Sequence, residues 1–203
     1  MTNDQTLIDY VFKRVEDHQS VEQILMELFE KIGSDFNFQN ISVKEVISTS
    51  SRAIKCTYEW AADQNRSILN LEKRFADKDF EDIKILYENE KAKFKVFVYF
   101  ESSPDMPKAL MTSDAGSLLR VPLIKEDVFC GYIDFVDKTD DRRMFVADEI
   151  NTLKSVSKMI LMYLFPVREL ERVNNEAREF SEFDSLTHLL KYEYVYENLQ
   201  KIV

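Results

Sequence analysis

Glycine occurs three times in this chain of 203 residues, and proline adds only four more turn-forming positions. Tight turns and phosphate-cradling loops draw on glycine for positive φ, and stiff linkers draw on proline. So sparse a supply argues against a turn-dense all-β fold, a Gly-rich nucleotide loop and a Pro-rich linker. Helices are expected to carry much of the mass. A hydrophobic content of 45% with 12% aromatics is ample for a packed core, which excludes a disordered or low-complexity chain. Set against a typical domain of about 150 residues, the length suits one complete domain plus something smaller, or two small ones.

The pattern along the chain alternates between helical and extended. Leu7, Val11, Phe12 and Val15 mark one helical face, His18-Gln19 a break, and Ser20-Val21-Glu22-Gln23 a capping box that restarts a helix running toward Phe36. In that second helix Ile24, Leu25, Leu28, Phe29 and Ile32 form a wide apolar stripe. Ile41 to Ile47 and Ala53 to Trp60 then read as strands joined by a turn at Thr49-Ser50-Ser51. Asp79 to about Glu90 reads as a short helix, Lys93 to Phe100 as a strand, and the segment with Pro104 and Pro107 as a loop. Leu118–Ile124 and Val128–Val136 form the strongest hairpin signal, closed by a turn around Glu126-Asp127, with Pro122 at an edge or bulge. From Ala147 to near Phe180 the pattern is helical. The whole is α+β, an antiparallel sheet between helical layers, with the N-terminal and exit helices packed together on one face.

Charge and composition exclude several functions. The formal net charge of −10 repels a phosphate backbone, so nucleic acid is not an expected partner. Two cysteines, Cys56 and Cys130, and two histidines, His18 and His188, are too few and too scattered for a zinc site, and no metal is expected. Met1-Thr2-Asn3-Asp4 lacks a basic or apolar leader pattern, and no run approaches the 18 apolar residues of a membrane span. A soluble, cytoplasmic protein with reduced thiols is the expectation, with no membrane partner.

Three hairpin-region segments carry a resemblance. Ser117-Leu118-Leu119-Arg120-Val121-Pro122-Leu123-Ile124, then Phe129-Cys130-Gly131-Tyr132-Ile133-Asp134-Phe135, then Arg143 to Ile150 with Phe145 ahead of Asp148-Glu149, resemble in order the C-terminal half of a GAF domain. Thr57-Tyr58-Glu59-Trp60, and Ser155 to Ile160 in the exit helix, are similar to GAF modules that precede GGDEF domains in bacterial sensor proteins. Further on, Asp184-Ser185-Leu186-Thr187-His188-Leu189 resembles the opening of a GGDEF domain, although His188, Lys191 and Tyr192 stand where its pattern has Gly, Asn and Arg. The resemblance implies a GAF-like sensor domain over 1–165, a helical linker over 166–183 and an incomplete GGDEF-like start over 184–203. These 203 residues are then not an enzyme, since the signature GGDEF loop is not among them. A longer parent would resemble a diguanylate cyclase, intact or degenerate, the kind of enzyme that makes cyclic di-GMP.

A GAF domain holds a small molecule between its sheet and the segments that cover it, and the resemblance places Tyr58, Trp60, Tyr99, Arg120 and Tyr132 around such a pocket. No resident cofactor is implied, and the ligand is unknown. Arg120 lies among apolar neighbours, so its cation must be paired, meet a ligand anion or turn to solvent. A three-residue turn centred near Asp127 would set it across from Asp134 and make it less available to an anion. A two-residue turn would put the two on opposite faces. Asp137-Lys138, Phe145 and Asp148-Glu149 only approximate the signature of cyclic-nucleotide-binding GAF domains, and the two acids equally suit a helix N-terminus. Cys56 and Cys130 raise a thiol-based reductase as an alternative, but they lie in strands without a CxxC spacing or a neighbouring His, and neither sits in a loop as covalent bilin attachment requires.

The exit helix repeats Leu153, Val156, Ile160, Tyr163, Val167, Leu170, Asn174 and Ala177 at spacings of three and four, a heptad seam that predicts a parallel homodimer, although packing against its own domain explains the first half equally well, with a kink or restart at Pro166. In the leading reading, ligand or partner contact alters the geometry of paired exit helices and thereby of downstream GGDEF domains. The alternative from another class is a ligand-free dimerisation scaffold whose pocket is filled by its own aromatics.

Overall fold

The computed structural model describes residues 3–17, 19–48, 53–63, 67–69, 72–74, 95–98, 116–137 and 143–182. The expected turn at 49–51, the helix at 79–90, the loop with Pro104 and Pro107, and the GGDEF-like start at 184–203 lie outside them, as do His18 and Tyr99. The chain divides into two compact units, Met1–Met162 and Tyr163–Val203.

In the first unit, α1 (Asn3–Glu16) is followed by α2 (Val21–Phe36), whose N-cap Ser20 and N3 residue Gln23 bond reciprocally as the capping box requires. Asn37, in the left-handed region at φ 55°, ends α2. The strands are β1 (Asn40–Ser48), β2 (Ala53–Ala61), β3 (Glu72–Arg74), β4 (Lys95–Val98), β5 (Ser117–Lys125) and β6 (Val128–Asp137). They form one antiparallel sheet in the order β3-β2-β1-β6-β5-β4, with β1 and β6 at its centre. The short edge strand β3 has no counterpart in the sequence pattern. Pro122 lies opposite Tyr132 of β6, close to the register shift between Leu123 and Ile124. Helix α3 (Ala147–Met159) packs on β5 and against α1, while α2 packs on β1, β2 and α1. Because α1 touches both α2 and α3, the three helices share one side of the sheet, and the expected pairing of N-terminal and exit helices is met.

The core of this side is apolar and fully buried: Ile24, Leu28, Phe29 and Ile32 from α2 meet Ile41, Val43, Leu119, Ile133 and Phe135 from the sheet. At its rim Arg143 gathers three elements and the link between α2 and β1. Its backbone N–H donates to Ser117 Oγ, its guanidinium pairs with Glu149 and lies 3.8 Å from Asp137, and it stacks 4.5 Å over the Phe38 ring. Phe145 stacks on Phe38 as well. The residues that approximate a cyclic-nucleotide signature, Asp137, Phe145 and Glu149, therefore converge on a protein arginine, and Asp148 is exposed.

The hairpin resolves its register in an unexpected way. The turn has two residues, Glu126 and Asp127, both at positive φ (50° and 61°), with Lys125 opposite Val128. That register alone would offset Arg120 from Asp134. An irregularity then follows Ile124 opposite Phe129: the next pair is Leu123 with Gly131, so Cys130 is an extra residue on β6. The bulge restores Arg120 opposite Asp134. The expected pairing holds, but a two-residue turn plus a bulge produces it, not a three-residue turn.

The exit helix is interrupted at Pro166, as expected. It runs as α3, then a π turn at Ile160–Leu164, then α4 (Phe165–Glu182). Pro166 cannot donate to the carbonyl of Met162 and its ring crowds that oxygen, so the helix restarts with the proline in the first turn of α4 and the widened turn just before it. The π turn holds one residue more than an α turn, which breaks the heptad spacing. Leu153, Val156 and Ile160 are wholly buried in the domain's own core and are unavailable to a second chain. Tyr163 and Val167 are half-buried, Leu170 is 61% exposed and Asn174 is exposed, and the side chain of Ala177 lies outside the described set.

Gly131 is where the sheet tolerates no side chain. Its φ is 144°, and a Cβ there would stand 2.0 Å from the Lys44 carbonyl oxygen on β1. Gly131→Ala is expected to lower unfolding free energy by at least about 1–3 kcal/mol in urea denaturation, through backbone strain plus forced separation of β1 from β6. An alanine variant of unchanged stability would contradict this geometry.

Candidate functional site

Opposite residues in an antiparallel ladder share a face, and neighbours along a strand alternate. That rule separates the five pocket residues expected from sequence. On β2, Trp60 pairs with Ile41 and Tyr58 with Val43, and a Cβ added to Gly33 of α2 would meet the Trp60 ring at 2.2 Å. Trp60 therefore lies flat against α2, and Tyr58 shares its face, on the helix side. Arg120 and Tyr132 are on the other side, and Tyr99 is outside the described residues. Glu59, between the two aromatics, also turns to the other side: its carboxylate accepts from Asn40 Nδ2 at 2.8 Å, Ser67 Oγ at 2.6 Å and the Ile68 and Leu69 amides at 2.7 and 2.9 Å. The Tyr-Glu-Trp pattern is thus two helix-side aromatics flanking a carboxylate that clamps the 67–69 loop.

The side away from the helices carries a polar row across four strands. Glu59, Ser42, Asp134 and Arg120 are successive cross-strand partners on β2, β1, β6 and β5. At its centre Arg120 grips Asp134 with two parallel bonds, Nε to Oδ1 at 2.6 Å and Nη2 to Oδ2 at 2.7 Å. Lys44, two residues along β1 from Ser42, adds a third bond from Nζ to Asp134 Oδ2 at 2.6 Å. The Tyr132 ring lies beside both cations, 3.9 Å from the Arg120 guanidinium carbon and 5.5 Å from Lys44 Nζ. Arg120, Asp134, Ser42 and Tyr132 are all buried, and the Lys44 side chain is 12% exposed. Burial opposes the charged form of Asp134, but Arg120 and Lys44 more than offset it and hold the carboxyl below its usual range. Burial likewise opposes the Lys44 ammonium, and Asp134 chiefly outweighs it, so its pKa lies above the ordinary value. Both groups are charged at neutral pH.

Ser42, Lys44 and Asp134 are the members of this cluster that sequence reasoning missed as site residues. For Asp134 the signal was present in its expected pairing with Arg120. Ser42 and Lys44 look like the exposed positions of an alternating strand, and only the sheet's second covered face removes them from water.

The thiol geometry is unfavourable to redox chemistry. Both cysteines are free. Burial, opposed by Lys44, pushes the Cys56 thiol up to about 12, so the nucleophilic thiolate is suppressed. Cys56 on β2 and Cys130 on β6 are separated by β1, a backbone distance of about 9.6 Å or more at 4.8 Å per strand, beyond disulfide reach.

Comparison with solved structures places this architecture. The chain is similar to the phycocyanobilin-bound GAF domain of a cyanobacterial phytochrome, with TM-score 0.64 at 13% identity, covering 84% of this chain and 98% of that one. It is also similar to GAF domains of phosphoenolpyruvate-protein phosphotransferases from Coxiella burnetii, with TM-score 0.59 at 12% identity over 86% and 97% of the two chains, and from Acinetobacter, with 0.60 at 8% over 85% and 99%. The fold is that of a GAF domain. No protein-family model and no curated protein matches the sequence. Among the described residues of this GAF fold, no helix is long and apolar enough to cross a membrane, and no cluster of His, Cys, Asp and Glu could hold a metal ion.

Removing the central carboxylate should leave two buried cations unbalanced. Asp134→Asn is expected to cost about 3–5 kcal/mol of stability at pH 7. Asp134 has a depressed pKa, so its contribution is complete above the unfolded value of 3.8 and is lost as pH falls through the lower folded value. Urea titrations of both proteins should therefore converge as the pH drops below 3.8, and a gap that stays constant with pH would refute the charge argument.

Proposed function

We propose that this chain is a regulatory, sensory GAF module that binds a small molecule on the sheet side away from α1, α2 and α3, and that it controls a downstream GGDEF domain in cyclic di-GMP signalling through dimer geometry. The observation that carries the reading is the buried polar row. A scaffold filled by its own aromatics has no use for a lysine, an arginine, an aspartate and an unsatisfied serine beneath one face, since burying them costs free energy that an apolar surface would not. Arg120 and Tyr132 are pocket residues in this reading, while Tyr58 and Trp60 lie on the helix side of the sheet. The phytochrome neighbour's bound phycocyanobilin supports a small-molecule role. The GGDEF partner rests on the resemblance at Asp184–Leu189.

Assembly as a homodimer is supported by α4. Leu170 and Val173 are 61% and 50% exposed, apolar surface whose hydration costs about 25 cal/mol per Å². A second copy of α4 in parallel orientation would cover Leu170, Val173 and the half-buried Val167, and would bring two downstream domains side by side. The contact starts after the π turn, not at Leu153.

Native mass spectrometry of the protein purified from its host tests the sensory reading: a bound small molecule is expected, and an empty, close-packed domain would favour the scaffold. In sedimentation the unmodified chain should be dimeric at tens of micromolar, roughly where weak dimers form. Leu170→Asp with Val167→Asp should be monomeric with an unchanged far-ultraviolet spectrum. A monomeric unmodified chain would remove the dimer from the proposal.

A further inference from the structure

We propose that Ser42 and Lys44 hold the acidic group of a small organic anion, a carboxylate or a phosphate ester. This names the ligand class for the site described above and rests on that sensory reading.

The inference comes from matching donors with acceptors. Asp134 Oδ1 accepts from Arg120 Nε, and Oδ2 accepts from both Arg120 Nη2 and Lys44 Nζ. On the same row, Glu59 Oε1 accepts from Asn40 and Oε2 from three donors of the 67–69 loop. Every oxygen of both carboxylates accepts from at least one protein donor, although Asp134 Oδ1 and Glu59 Oε1 each accept only one. Unused donors remain beside them. A lysine ammonium carries three N–H groups, and Asp134 takes one of those of Lys44. Ser42 Oγ is buried and has no hydrogen-bond partner, although its residue has no exposed surface at all. A hydroxyl in that state costs about 1–3 kcal/mol unless something else meets it.

Ser42 and Lys44 are two apart on β1 and share a face, so their Cα atoms are separated by about 6.6 Å along the strand. One carboxylate or phosphoryl group between them can accept from the hydroxyl and from the ammonium together. Arg120 and Lys44 share the single carboxylate of Asp134, so the cluster keeps one net positive charge, which a negative group offsets at reduced dielectric and a neutral acceptor does not. Arg120, for which sequence left pairing, a ligand anion or solvent open, is held bidentately by Asp134, and anion binding falls to its neighbours on the central strand.

Thermal melting of the full chain, after refolding to remove any co-purified molecule, tests this with succinate and with inorganic phosphate. Succinamide and sodium chloride at matched ionic strength are the controls. At least one anion is expected to raise the melting temperature saturably, and comparison of the two separates a carboxylate from a phosphoryl source. Ser42→Ala should weaken that anion by about tenfold or more, the effect of losing a hydrogen bond to a charged group, while melting no lower than the unmodified protein without ligand. Lys44→Gln should weaken it further, and Ser42→Ala keeps the test decisive if that variant fails to fold. An anion effect undiminished in Ser42→Ala, an equal effect of succinamide, or no effect of either anion overturns the proposal. Native mass spectrometry then separates the two levels: a co-purified neutral molecule overturns the anion while the sensory reading stands, and an empty protein indifferent to anions overturns both.

Discussion

A guanidinium and a carboxylate locked together in the middle of a sheet set the terms for the rest of this domain. Arg120 and Asp134 lie on the adjacent strands β5 and β6, are wholly buried, and each would be intolerable there without the other. Their meeting depends on a one-residue device. The two-residue turn at Glu126-Asp127 sets a register that would send them to opposite faces, and the extra residue Cys130 corrects it. Gly131 follows the bulge at φ 144°, pressed so closely against the Lys44 carbonyl that a side chain is excluded. A scarce glycine is thus placed where backbone contact between the two central strands leaves no alternative.

From that register the sheet acquires two unlike faces. Against the helices it is apolar and close-packed, with Trp60 lying on Gly33 and Phe38 on Phe135. Away from them it presents charges and hydroxyls arranged in a row, buried yet not fully satisfied at Ser42. Strand alternation alone produces the contrast, since Tyr58, Glu59 and Trp60 must point to different sides whatever their chemistry. A polar layer confined to one face is costly to bury, and here its geometry is held by ion pairs.

The exit helix shows the same dependence on a local constraint. A seam at spacings of three and four is read equally well by a core and by a partner helix. Within the first unit the core takes Leu153, Val156 and Ile160. Beyond them the π turn before Pro166 offsets the repeat, and α4 carries its own exposed apolar positions, flanked by the Glu169–Arg172 pair at 3.0 Å.

Local chemistry was legible in the sequence wherever it was decided by a few neighbouring residues. The capping box at Ser20 and Gln23, the apolar stripe of α2, the hairpin with its turn at Glu126-Asp127, and the effect of Pro166 all follow from interactions within one or two turns of chain. The GAF-like order of elements was legible for the same reason, being a succession of such signals. What the tertiary structure alone decided was which face each strand residue occupies and who meets it across the sheet. Tyr58 and Trp60 went to the helix side, and Arg120 was claimed by Asp134. Ser42 and Lys44, polar positions indistinguishable in sequence from solvated ones, came to lie beneath a covered face. These outcomes turn on a bulge that shifts register by one residue, and a period of two converts one residue of shift into a change of side, which no window of sequence reports.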